Sequence, residues 1–393
     1  MTSKEVVIVS GVRTPIGTMG GSLKDVHPTD LGAMVIREAI RRAQIEDHLV
    51  DEVIVGNVGQ IAENGFIARV CSLKAGLPLE TTAYSVNRQC GSGLQAINSA
   101  VQAIQTGEAD VVVACGTENM NQLPYYVRNA RFGYRFGHGQ LEDGLLTILT
   151  WPLGPYPNGI TAENVAERFH ISREEQDEFA LQSQRKAEAA IKAGKFVEEI
   201  LPVQVTIGKE TKLFSQDEHP RFGITLERLS QLKPAFKEGG TVTAGNSSGI
   251  NDGAAAVVIM SHEKAKQLGI KPILAIRSQA VVGIDPDIMG VAPAPATKKA
   301  VSKAGLSLDD IDLFEINEAF ASQAIAVIRE LGVPPEKVNV NGGAIALGHP
   351  IGATGVILTV KLMYEMQRRG SRYGVVTMCI GGGQGIATVF ERL

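Results

Sequence analysis

Two stretches of this chain of 393 residues repeat one another's order, and that repeat limits the fold more than any single residue does. VNRQCGSGLQAINSA in the first half lies against VNVNGGAIALGHPIGATGVILTV in the second. ADVVVAC, ending at Cys115, lies against YGVVTMC, ending at Cys379. Duplication of one unit is the economical explanation of such a repeat. Within each half, short apolar runs rich in β-branched residues alternate with stretches of helical spacing. The first half predicts strands over residues 6–10, 50–58 and 109–115. Its helices are expected over 30–42, capped by Thr29 or Asp30, and over 94–105, ended by Gly107. The second half predicts strands over 272–276, 311–316 and 374–379, with helices over 294–304, 319–331 and 353–368. Strands alternating with helices imply an α/β layered body with a largely parallel sheet.

The duplicated stretches also hold the residues with chemical potential. His349 sits between Gly348 and Pro350 in a Gly-rich loop that feeds a helix. Pro350 biases His349 towards an extended backbone, and an imidazole held there suits general-base work near neutral pH. Cys90 stands in CGSG just before a helical run, where amide groups and the helix dipole favour a thiolate. Cys379 ends the strand-like VVTMC and enters CIGGGQG. Taken singly, each has a plain structural reading: a turn histidine, or a small buried cysteine. Three such residues in matching Gly-rich settings weigh towards chemistry. Cys71 and Cys115 have no such setting and read as core.

Net charge is -4, with no basic run, so nucleic acid is not an expected partner. The four cysteines form no CxxC pair, which argues against a zinc ribbon or a thioredoxin motif, and no metal is implied. Reduced thiols are the default at this length. MTSKEVVIVSGVRTP leads straight into a strand-like run, FERL is not a peroxisomal tail, and no apolar run is long enough to cross a membrane. The expectation is a cytoplasmic protein without a membrane partner.

Between the halves the composition changes. Residues 123–160 are rich in Gly, Pro and Tyr and read as loop. Ser172 to Gly194 is a charged helical stretch with a capping box at Ser172 and Glu175. TVTAGNSSGINDG, from Thr241 to Gly253, is a run of small residues on which a ligand can lie against backbone.

VNRQCGSG, INEAFA, GGAIALGHPIGATG and CIGGGQG together resemble the thiolase family, the acetyl-CoA acetyltransferases and 3-ketoacyl-CoA thiolases. The likeness runs from VVIVSGVRTPIG to the final strand. It implies a thiolase fold, with duplicated βαβαβαββ halves packed as a five-layered αβαβα body. Residues 1–119 would form the N-terminal half, 120–270 an inserted loop domain for coenzyme A, and 271–393 the C-terminal half. It implies acyl transfer between coenzyme A thioesters by a ping-pong route, with acetyl-CoA and acetoacetyl-CoA as the default substrates. Cys90 would be the acylated nucleophile, His349 its base and Cys379 a second acid/base. One oxyanion would be held by His349 and a water placed by Asn317, the other by the backbone N–H groups of Cys90 and Gly381. Asn317 can also be read as a helix cap. Leu149, Arg221, Ala244, Ser248, Ala319 and Phe320 match family coenzyme A contacts. Coenzyme A and acyl-CoA would be substrates, with no permanently bound cofactor, and a homotetramer, a dimer of dimers, is implied.

One departure stands out. Biosynthetic family members carry a His-Met pair before the TAEN segment, where this chain has Pro157 and Asn158. Activity class is therefore better supported than acyl-chain preference. Two other readings remain: a 3-oxoacyl synthase of the same fold, against which Cys379 speaks, and a non-catalytic or specialised acyl-CoA-binding relative.

Overall fold

The computed structural model describes residues 4–393. The N-terminal half supplies strands β1 (Val6–Arg13), β2 (Glu52–Gly56), β3 (Thr82–Val86), β4 (Val111–Glu118) and β5 (Asn251–Ser261). The C-terminal half supplies β6 (Leu274–Gly283), β7 (Leu313–Ile316), β8 (Tyr373–Ile380) and β9 (Gln384–Arg392). Their order along the sheet is β3-β2-β4-β5-β1-β6-β9-β8-β7. The duplication is visible in this order. Beyond β7, Val338 bridges Phe314 in parallel and occupies the place that β3 holds in the first half. The halves join where Val7 and Ile8 of β1 pair with Ala275 and Leu274 of β6.

The sheet is mixed, not largely parallel. β2 runs parallel to β3 and β4, and β7 to β8. The pairs β4–β5, β5–β1, β1–β6, β6–β9 and β9–β8 are antiparallel. Strand–helix alternation fails at β5 and β9: a long insertion with helices of its own, not a single crossover helix, separates β5 from β4, and no helix separates β9 from β8. β9 follows β8 through the glycine turn at 381–383, which can only give an antiparallel pair. β5 comes from within residues 120–270 and lies in the middle of the N-terminal sheet, so that stretch contributes to the body as well as to the insertion.

Helices α1 (Pro28–Ala43) and α2 (Ile67–Lys74) cover one face of the N-terminal sheet. α3 (Ser92–Thr106) lies on its other face. In the insertion, α4 (Asn158–Arg168) and α5 (Arg173–Lys192) follow. In the C-terminal half, α6 (Pro293–Lys303) and α7 (Ala321–Leu331) lie outside, and α8 (Thr354–Arg369) lies inside against α3. The result is helix, sheet, helix, sheet, helix. Every residue of β1, β4 and β5 is buried, as expected for strands covered on both faces.

The middle layer is unusually close. A Cβ at Gly355 of α8 would stand 2.1 Å from the backbone nitrogen of Leu94 in α3. Only glycine permits that approach. α1 starts earlier than expected because Pro28 fits the first helical position; His27, and neither Thr29 nor Asp30, is the cap, its Nδ1 accepting from the Thr29 N–H at 3.2 Å. The capping box of Ser172 and Glu175 on α5 is present. Residues 123–160 are not all loop: Tyr125–Tyr126 pairs with Glu142–Asp143, and Thr150–Trp151 pairs with Tyr156–Pro157.

Candidate active site

The N-terminus of α3 and the loop before α8 face one cavity, of about 790 Å³. Cys90, His349 and Cys379 all line it. Cys90 follows Gln89, whose φ of 46° is rare for a residue with a side chain. That backbone is held by Asn87 Oδ1, which accepts from the Gln89 N–H at 3.0 Å, and by Ser92 Oγ, which donates to the Gln89 carbonyl at 2.6 Å. The turn presents Cys90 at the head of α3 with 8% exposure.

Burial pushes the Cys90 thiol up to about 11, against the pull of the Gly381 and Cys90 N–H groups. The expected depression by the helix N-terminus is therefore outweighed by desolvation. Cys379 is raised further, by burial and by the neighbouring Cys90. Both sulfurs rest as thiols. His349 moves the other way: burial lowers it to about 4, which leaves a neutral imidazole at pH 7.

His349 is fixed from several sides. Its backbone N–H donates to Asn251 Oδ1 at 3.0 Å, and Asn251 Nδ2 donates to Gly17 O at 2.9 Å. Gly348, at φ 108°, passes so close that a Cβ would meet Asn251 at 2.6 Å. Thr354 donates its hydroxyl to Pro350 O at 2.8 Å, leaving its oxygen to accept from His349 Nδ1 at 2.6 Å. Asn317 Nδ2 lies 3.4 Å from Nε2. Both contacts assign the ring proton to Nδ1 and leave Nε2 as an acceptor, met by the Asn317 amide at 3.4 Å in the wall of the cavity. Asn317 is not a helix cap, since α7 begins at Ala321. Its Oδ1 is buried without a partner among the described residues.

Leu149, Arg221, Ala244, Ser248, Ala319 and Phe320 line the same cavity. Two distant motifs zip together there: Ser248 N donates to Ala319 O at 2.9 Å, Ala321 N donates to Asn246 O at 2.9 Å, and Ser247 bridges Phe320. Phe236 meets Phe320 edge to face at 6.0 Å. Asn317 and Gly381 stand just behind the wall, through His349 and Cys90 respectively. Among the described residues, no cluster of His, Cys, Asp and Glu could hold a metal ion.

Residues 6–263 match the model of the thiolase N-terminal domain, and residues 270–392 that of the thiolase C-terminal domain. The chain belongs to the thiolase family. The acetyl-CoA acetyltransferase of Syntrophomonas wolfei subsp. wolfei is 52% identical over 396 residues, spanning all of both chains. The crystal structure of the Bacillus anthracis acetyl-CoA acetyltransferase is 48% identical, with a TM-score of 0.98 over 100% of this chain and 99% of that one. Human mitochondrial 3-ketoacyl-CoA thiolase in complex with CoA is 47% identical, with a TM-score of 0.96 over 99% of this chain and 98% of that one. This thiolase is accordingly an acyltransferase, and neither the synthase nor the non-catalytic alternative is favoured.

Four residues of the thiolase site escaped the sequence reading. Asn251 lay within the small-residue stretch, but nothing marked it as the anchor of His349. Thr354 stands five residues after His349, a spacing that only a turn entering a helix brings together. Glu118 ends β4, fully buried, and accepts from Asn57 Nδ2, Val58 N, Gly59 N and Gly352 N at 2.9–3.1 Å. It ties the N-terminal half to the His349 loop. Met289 lines the cavity from a turn before α6.

Proposed function

We propose that this thiolase interconverts two acetyl-CoA with acetoacetyl-CoA and CoA, through an acyl group carried on Cys90. The observation that carries this reading is the meeting of Cys90, His349 and Cys379 in one cavity, with the Gly381 N–H directed at the Cys90 sulfur. In thiolysis, Cys90 sulfur attacks the 3-oxo carbonyl of the substrate while His349 Nε2 takes its proton. The carbon–carbon bond breaks, and Cys379 gives its proton to the departing carbon of acetyl-CoA. CoA then enters, yields its thiol proton to Cys379 and attacks the acyl carbon. Cys90 leaves and recovers its proton from His349. The Cys90 and Gly381 N–H groups would hold the oxyanion of the acyl-sulfur adduct, and His349 with an Asn317-bound water the enolate oxygen. The neutral resting thiols fit this order, since each loses its proton only as a bond forms.

Coenzyme A would lie along Leu149, Arg221, Ala244 and Ser248, on the insertion expected at 120–270, and along Ala319 and Phe320 of the C-terminal half. Arg221 is exposed at this cavity, which suits a phosphate-bearing end. The CoA complex of the human mitochondrial relative supports coenzyme A as the ligand. We further propose a cytoplasmic homotetramer in fatty acid metabolism. The exposed Tyr125, Phe132, Tyr134 and Phe136 support burial against other copies. Among the described residues no helix is long and apolar enough to cross a membrane.

Incubation with acetyl-CoA followed by intact-mass and peptide measurement tests the reading. Wild type should gain one acetyl group on Cys90, and Cys90→Ala none. Cys379→Ser should still become acetylated yet turn over poorly. Acetyl on Cys379 would reverse the two roles.

A further inference from the structure

The hairpin of Thr150–Trp151 with Tyr156–Pro157 delivers Asn158 as the first residue of α4. Its backbone is pinned: the N–H donates to Leu149 O at 2.9 Å, and its carbonyl accepts from Thr161 Oγ1 at 2.7 Å. Among the described residues its side chain makes no hydrogen bond. The side chain lines the cavity with Cys90 and Cys379. Its Nδ2 stands 3.8 Å from where a Cβ of Gly381 would sit, in the turn that follows Cys379. The neighbouring lining is apolar: Leu149, Pro157, Phe236 and Met289.

An amide carries two donors and an acceptor. Facing a plain alkyl group in this wall, it would lose water with nothing in return. The Trp151 ring packs against Gly382, 2.9 Å from where a Cβ would be, and closes that side of the glycine turn.

We propose that Asn158 makes this site select acyl chains that carry a neutral hydrogen-bonding oxygen beyond the thioester carbonyl, such as a hydroxyl. This rests on the thiolase reading above and names the substrate class of the same site. A carboxylate fits less well. The charged side chains on the lining are Glu218 and Arg221, and Arg221 is exposed, so a carboxylate beside Asn158 would be desolvated without a cation.

The test is thiolysis of 6-hydroxy-3-oxohexanoyl-CoA against its near-isostere 3-oxoheptanoyl-CoA, read as a ratio of kcat/KM. Wild type should favour the hydroxylated substrate by about fivefold, the worth of one net hydrogen bond. Asn158→Leu, close in volume, should bring the ratio to about one or below, and Asn158→Thr, which puts a hydroxyl in place of the amide, should retain part of it. A wild-type ratio of one, or a ratio that Asn158→Leu leaves unmoved, overturns the proposal. So does a higher kcat/KM for 3-oxoadipyl-CoA, whose carboxylate takes the hydroxyl's place. If Asn158→Leu does not fold, the wild-type ratio and the Thr variant still decide. Failure of wild type to cleave acetoacetyl-CoA would instead refute the thiolase reading itself.

Discussion

Thr354→Val isolates the orientation of His349 from every other feature of the site. The change is nearly isosteric at a residue that is 2% exposed, so packing is kept and only the hydroxyl is lost. That hydroxyl accepts from Nδ1 at 2.6 Å and donates to Pro350 O at 2.8 Å. Pro350 O keeps the N–H groups of Ala353 and Thr354, both at 2.9 Å, and is not orphaned. His349 Nδ1–H has no such reserve. A buried donor left unpaired costs about 1–3 kcal/mol. The ring can escape that cost by moving its proton to Nε2, which removes the lone pair that the cavity needs. At about 1.4 kcal/mol per tenfold, kcat/KM for thiolysis of acetoacetyl-CoA should fall by about fivefold to about 150-fold. Thr354→Ser, which keeps the oxygen, should recover most of it. Steady-state thiolysis on both variants, with thermal unfolding as a control, is the assay. A Val variant with wild-type kcat/KM would refute the assignment of the ring proton.

Three further expectations follow from the same geometry. His349 has its folded value lowered from about 6.5 to about 4, so its neutral form favours stability above the unfolded value, and that contribution is lost as pH falls from about 6.5 through about 4; the acid limb of kcat/KM should likewise lie near 4 in the free enzyme, and a limb near 6.5 would contradict the burial argument. Glu118→Gln turns an acceptor of four donors into a group whose NH2 must face two of them, and should lower thermal stability by about 1–3 kcal/mol and slow turnover through the Gly352 loop, as read by calorimetry and thiolysis. Arg13→Met leaves Asp217 and Glu199 buried beside no cation, where Arg13 now meets them at 2.7 and 2.8 Å; a loss of about 3–5 kcal/mol is expected, with a raised KM for CoA because Asp217 begins the segment that reaches Arg221, and an unchanged melting temperature would count against it.

The chemistry was more legible in the sequence than the sheet was. Cys90, His349 and Cys379 each sit where glycine and a helix start or strand end concentrate in a few residues, so local pattern marks them. The direction of strands is not local. Asn251–Ser261 reads NDGAAAVVIMS, with an alanine run that carries little β signal, yet it lies inside the N-terminal sheet, between β4 and β1, and is buried along its whole length. Asn251 and Glu118 are silent in sequence for a related reason. Each acts through backbone groups from distant segments, and no spacing rule links residue 118 to residue 352. The protonation states were also hidden: the helix start at Cys90 is local and readable, while the burial that overrides it belongs to the assembled fold.

The backbone contact between Gly355 and Leu94 has a mechanical meaning. Two helices that touch main chain to main chain have no side-chain layer to deform, so they cannot slide or hinge against one another as ordinary packed helices do. Cys90 rides on one of them, and His349 lies on the loop that starts the other. The spacing of nucleophile and base is therefore set by the backbones of α3 and α8 more than by side chains packed between them. Opening the site to admit a substrate must fall to the segment that covers it, the short hairpins between residues 125 and 157, which share no such contact with the middle layer. Breathing motions of the cover and stiffness of the reacting pair are then properties of separate parts of the chain, and a substitution can change one while leaving the other untouched.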